Sequence, residues 1–115
     1  VANYVAVCRS NFFKVKDIDA FREAMVPALA GSDLELWVEN GRVAFGGYCS
    51  LPFVIPDAET GDSVEFDLEG TIQQHLAFAE EAIFVEVGYE QLRYVGGVQI
   101  RITAEDVERV EIGVS

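Results

Sequence analysis

The sequence predicts an α+β fold, a mainly antiparallel sheet with two helices on one face, in a single domain covering residues 1–115. Three observations lead there. Several short runs alternate apolar with polar residues, as half-buried strands do. Two other runs space their apolar residues by three and four, as helices do. Gly, Pro and an Asn-Gly pair punctuate these runs at hairpin and loop distances. Elements of this kind bury their apolar sides by sharing one core, with the helices laid on the sheet.

The first strand covers residues 4–16, and its alternation is imperfect. Val5, Val7, Phe13 and Val15 share a parity with Arg9 and Asn11, which places a bulge or break near Arg9 to Asn11. Asp17 is an N-cap for a helix starting at Ile18. Ile18, Phe21, Met25 and Leu29 form its apolar face, Pro27 ends or kinks it, and Gly31 marks the exit. Leu34, Leu36 and Val38 then alternate with Asp33, Glu35, Trp37 and Glu39. Asn40-Gly41 turns the chain, because both residues tolerate positive φ, and residues 42–48 return. Pro52 and Pro56 make residues 50–62 a loop.

A second unit starts at Ser63. Val64, Phe66 and Leu68 alternate with Glu65, Asp67 and Glu69 as a strand. A helix follows over residues 70–80, with Ile72, Leu76 and Ala79 on its apolar stripe. Residues 82–88 read as a buried strand, and residues 92–103 as its partner, with Val98, Ile100 and Ile102 facing inward. Residues 107–112 form a short last strand. The halves share an outline, and Gly46-Gly47 and Gly96-Gly97 follow matching hairpins as bulges or points of close packing. A duplicated βαββ unit and a chance likeness of two hairpins both account for this.

Half of the 115 residues are hydrophobic and 11% are aromatic, which excludes a disordered acidic chain. Twenty acids against eight bases give a net charge of −12. Direct binding of nucleic acid is therefore disfavoured, since each phosphate contact would face repulsion, and basic proteins are the expected partners. Residues 1–16 carry Arg9, Lys14 and Lys16 and no acid, whereas ten acids and no Lys or Arg lie between Arg42 and Arg93. No run approaches the roughly 18 apolar residues of a membrane span, and the start of the chain lacks signal-peptide regions. The expected setting is the cytoplasm of a host cell. Cys8 and Cys49 could pair if their strands are neighbours, but without an export signal the reading is two reduced thiols.

Catalytic chemistry is poorly supplied. His75, the one histidine, sits at the edge of the second helix's apolar face, and no nucleophile motif accompanies it, so a structural role is expected. Two cysteines and a histidine without close spacing do not make a zinc site. Asp57, Glu59, Asp62, Glu65 and Asp67 lack the Asp-x-Asp-x-Asp-Gly order of a calcium loop. Nothing singles out a carboxylate pair for glycoside hydrolysis. The chain reads as a protein without enzymatic activity, cofactor or metal.

Two surface features remain. By strand parity Trp37 points away from the core with Glu35 and Glu39, either as an interface anchor among steering charges or buried under a loop. Glu65, Asp67 and Glu69 form an acidic row continuing towards Glu80 and Glu81. On one strand face such carboxylates repeat at about 6.6–6.8 Å, a ladder suited to a groove that normally holds a nucleic-acid backbone. An ordinary solvated face, or adaptation to a salty cytoplasm, is the competing reading, and the scarcity of Lys (Lys14 and Lys16 only) fits it.

Ser10-Asn11-Phe12-Phe13-Lys14-Val15-Lys16-Asp17, followed by Ala20-Phe21, resembles the opening of small acidic proteins of phages, plasmids and integrative elements. Glu86-Val87-Gly88-Tyr89-Glu90-Gln91-Leu92-Arg93-Tyr94 resembles a later segment of the same proteins. Phe12 stands where they usually carry Tyr, and residues 51–56 have no counterpart. The resemblance implies a mobile genetic element, and hence an inhibitor of host defence, of the anti-CRISPR or antirestriction type or a DNA mimic. It would bind a basic nucleic-acid-handling complex through Glu35, Trp37, Glu39, Glu65, Asp67, Glu69, Glu80 and Glu81. An immunity-type module acting on a basic protein unrelated to DNA is the alternative, and the sequence leaves the oligomeric state open.

Overall fold

The computed structural model describes residues 5–48, 53–57, 59–90 and 94–114. Among them are eight strands and three helices, an α+β fold built on a large antiparallel sheet. The strands are β1 (Val5–Ser10), β2 (Glu35–Glu39), β3 (Arg42–Gly47), β4 (Val54–Pro56), β5 (Ser63–Glu65), β6 (Ala82–Glu90), β7 (Tyr94–Ile102) and β8 (Val107–Val114). The helices are α1 (Ile18–Ala24), α2 (Val26–Ala30) and α3 (Leu68–His75). Six strands form the main sheet in the order β2-β3-β1-β6-β7-β8, and β4 pairs with β5 in a separate ribbon.

The break expected in the first strand is real. β1 ends at Ser10, and Phe13 and Val15 then make single bridges to Val43 and Leu76. Side chains replace the lost ladder bonds. Ser10 Oγ accepts from the Phe45 N–H at 2.9 Å, and the Ile83 N–H donates to Asn11 Oδ1 at 2.8 Å. The reversal of parity turns Phe13 and Val15 inward, although Val5 and Val7 lie on the outer face. Asp17 caps α1 as expected, accepting from the Ala20 N–H at 3.1 Å. The single helix expected from Ile18 onwards is two helices. α1 stops at Ala24, Met25 turns the corner, and Pro27 sits in the first turn of α2, where its missing N–H costs nothing.

Three further expectations are corrected. The loop at residues 50–62 contains β4, which pairs with β5 through Ile55 opposite Val64. The strand expected to run through Glu69 ends at Glu65, because Asp67 accepts from the Gly70 N–H at 3.0 Å and starts α3 two residues earlier than expected. A Cβ at position 70 would collide with that carboxylate, so Gly70 lets the cap close. α3 ends at His75, and Ala79, expected on its apolar stripe, is exposed with φ +61°. As for a duplication, β5 pairs outside the main sheet while its counterpart β1 lies at the centre, so the two halves occupy unlike places.

The helices cover one face of the sheet. Phe13 packs edge-on against Phe21 and Phe45, with ring centroids 5.8 and 6.4 Å apart, and Phe45 meets Phe84 at 5.1 Å. Met25, Ile72, Leu76, Ile100 and Ile102 complete a core with no solvent exposure beyond 2%. Each such side chain contributes about 1.5–3 kcal/mol by leaving water. Asn40 and Gly41 turn β2 into β3 at φ 53° and 74°, the conformation that pair supplies. Gly47 is a site of close approach, where a Cβ would strike the Asp33 carbonyl. Cys8, expected as a reduced thiol, is disulfide-bonded, and the chain's other cysteine, Cys49, lies outside the described residues.

Candidate acidic cleft

β8 is built in reverse. Its register against β7 puts Arg109 opposite Ile100 and Glu111 opposite Val98, on the helix side, while Val110 and Ile112 fall on the outer face. A strand with one covered face normally turns its apolar residues inward. Here Arg109 and Glu111 occupy the inward side, and the start of α3 and the β4–β5 ribbon leave this part of β7 and β8 uncovered. A cleft of about 520 Å³ remains between them.

Glu65, Asp67 and Glu69 line this cleft, together with Glu86, Glu111 and Arg109. Five carboxylates therefore face one guanidinium. Glu65 projects from the end of β5, Asp67 is the N-cap of α3, and Glu69 lies in its first turn. They line one cleft, but from a strand, a cap and a helix, so the even ladder along one strand is replaced by the rim of a pocket. Arg109 donates to Glu69 at 2.9 Å and lies 3.9 Å from Glu111, which ties α3 to β8 across the cleft. Phe53, Phe66 and Val98 supply apolar wall, with the two phenyl rings edge-on at 6.2 Å. Glu86 is 7% exposed on the inward face of β6 and is engaged in interactions of its own.

No protein-family model, curated protein or solved structure matches the chain.

The remaining acids expected at a partner surface lie elsewhere. Glu80 pairs with Arg42 and accepts from the Lys14 N–H at 3.0 Å. Glu81 lies 3.4 Å from Arg101, and its carbonyl accepts from Asn11 Nδ2 at 3.2 Å. Both tie distant segments of the fold together. Glu35 and Glu39 are exposed on β2, at the edge of the sheet. Trp37 points away from the core with Glu35 and Glu39, as strand parity expected. Its side chain is half-buried on the outer face, with the Arg9 guanidinium 4.8 Å from the ring centroid. Gly46 lies against the indole, where a Cβ would come within 3.1 Å of the ring. An arginine and a glycine cover it, and no loop is needed.

His75 stands edge-on to Phe21 at 5.7 Å, and its carbonyl accepts from the Lys16 N–H. Among the described residues no three His, Cys, Asp or Glu side chains lie close enough together to hold a metal ion, and no helix is long and apolar enough to cross a membrane. Sequence reasoning missed Glu86, Arg109 and Glu111 as cleft residues. For the last two the signal was present in the alternation of Val107 to Ile112, but which side faces the helices is set by the register with β7.

Proposed function

We propose that the protein is a non-enzymatic binding module that offers an acidic cleft to a basic segment of a protein partner. The class of partner follows from the resemblance: a nucleic-acid-handling host-defence complex, which the protein would inhibit by filling the site of a nucleic-acid backbone. One observation carries this reading: Glu65, Asp67, Glu69 and Glu111 line one cleft in which Arg109 is the one cation among the described residues. Apolar wall beside the carboxylates suits the aliphatic stem of a lysine or arginine, whose charged end would meet the acids. The cleft also supports a second reading, an immunity-type module on a basic protein unrelated to DNA, because a pocket accepts a side chain whereas a ladder imitates a backbone.

Capture from host lysate with tagged protein at low salt tests both. A basic nucleic-acid-binding complex should be retained, and added nucleic acid should release it. Glu65→Lys with Glu111→Lys should lower retention at least about tenfold, and raising the salt should do the same. Retention that nucleic acid does not disturb favours the second reading. Retention unchanged by the double reversal removes the cleft from either.

A further inference from the structure

Across β1, β6, β7 and β8 the outer face of the main sheet is largely apolar and uncovered by any described element. Val5 and Val7 of β1, Val87 and Tyr89 of β6, Val95 of β7, and Val110 and Ile112 of β8 share that face by register. All seven are between 40% and 70% exposed. β6 reads Ala-Ile-Phe-Val-Glu-Val, a nearly unbroken apolar run of the kind found where both faces of a strand are buried. Among the described residues only one of its faces is covered.

We infer that this face is the interface of a symmetric dimer, with a second copy of the same sheet as its occupant. Charge selects that occupant. Within the six strands the outer face carries Arg9, Arg42 and Arg101 against Glu35, Glu39 and Glu108, a balance of zero in a chain of −12. A basic partner gains nothing there, while two copies meet through the one broad surface on which they do not repel. Size agrees. Six strands about 4.8 Å apart, with alternate positions about 6.7 Å apart along each, give a face of about 29 by 20 Å. Stacking two would bury on the order of 1,200 Å² in total, the lower bound for a standard specific interface. The product is a sandwich of two sheets with the helices outside. Ile112, the most exposed of the seven, borders Gly97 in the register, so a projecting side chain lies beside a gap on a surface that meets its own copy.

Sedimentation equilibrium of the full chain at about 100 μM, far above the micromolar Kd of the weakest interfaces of this size, tests the inference. A species of twice the 12.7 kDa chain mass is expected, and added salt should tighten it by screening the net charge. Ile112→Glu should raise the dimer Kd at least about tenfold. Should that variant fail to fold, Val87→Thr keeps the branched side chain and carries the same test. Glu65→Lys, which belongs to the cleft, should leave the dimer intact, so the two surfaces fail independently. A monomer at every concentration, or a dimer indifferent to both Ile112→Glu and Val87→Thr, overturns the inference.

Discussion

Glu80 shows how a carboxylate expected at a partner surface can instead hold the fold. Its Oε1 receives the Lys14 N–H and the Arg42 guanidinium, joining the segment after β1, the start of β3 and the loop before β6. Glu80→Ala should lower unfolding stability by about 1–2 kcal/mol, and Glu80→Gln, which keeps an acceptor, by less; urea titration separates them. Ala79 beside it holds φ +61°, a conformation that costs a residue with a Cβ roughly 1 kcal/mol, so Ala79→Gly should stabilise the protein by about that amount in the same titration. Local chemistry was legible from the sequence at this scale. The Asp17 cap and the Asn40-Gly41 turn depend on residues within three positions of each other. The pairs Arg42–Glu80 and Arg109–Glu69 span 38 and 40 positions, and only the folded sheet brings them together.

At the scale of elements, the Ser10 to Asp17 block that carries the resemblance has a structural account. Ser10 and Asn11 bridge the break in β1, Phe13 enters the core, and Asp17 starts α1. Ser10→Ala would leave the buried Phe45 N–H without its acceptor, and a loss of about 1–3 kcal/mol is expected in thermal or chemical unfolding. Alternation located β2 and β7, since strands with a buried face follow a period of two, whereas the Asn40-Gly41 turn placed β3 and a buried apolar run marked β6. Alternation missed β4, whose three residues are too few to show a period. It also overran at Asp67, where a cap competes with strand continuation and wins because Gly70 leaves it room. β8 was found as a strand, but its inverted facing could not be read without its partner.

On the scale of the whole molecule, that inversion divides the surface in two. Charged residues of β8 line the helix side as an acidic cleft, and its apolar residues complete an outer face whose charges balance. The net charge of −12 is then a property of one side of the sheet and its edges. Opposite responses to salt are the consequence: cleft-mediated capture weakens as ionic strength rises, whereas self-association through the outer face tightens. The most direct test of the cleft is an amide NMR titration of the full chain with an oligo-arginine peptide at low salt. The expected shifts centre on Glu65, Leu68, Val98, Arg109 and Glu111, and vanish with Glu65→Lys and Glu111→Lys. Shifts spread evenly over the exposed acids, with Glu35, Glu59 and Glu105 moving as much as the cleft, would contradict it.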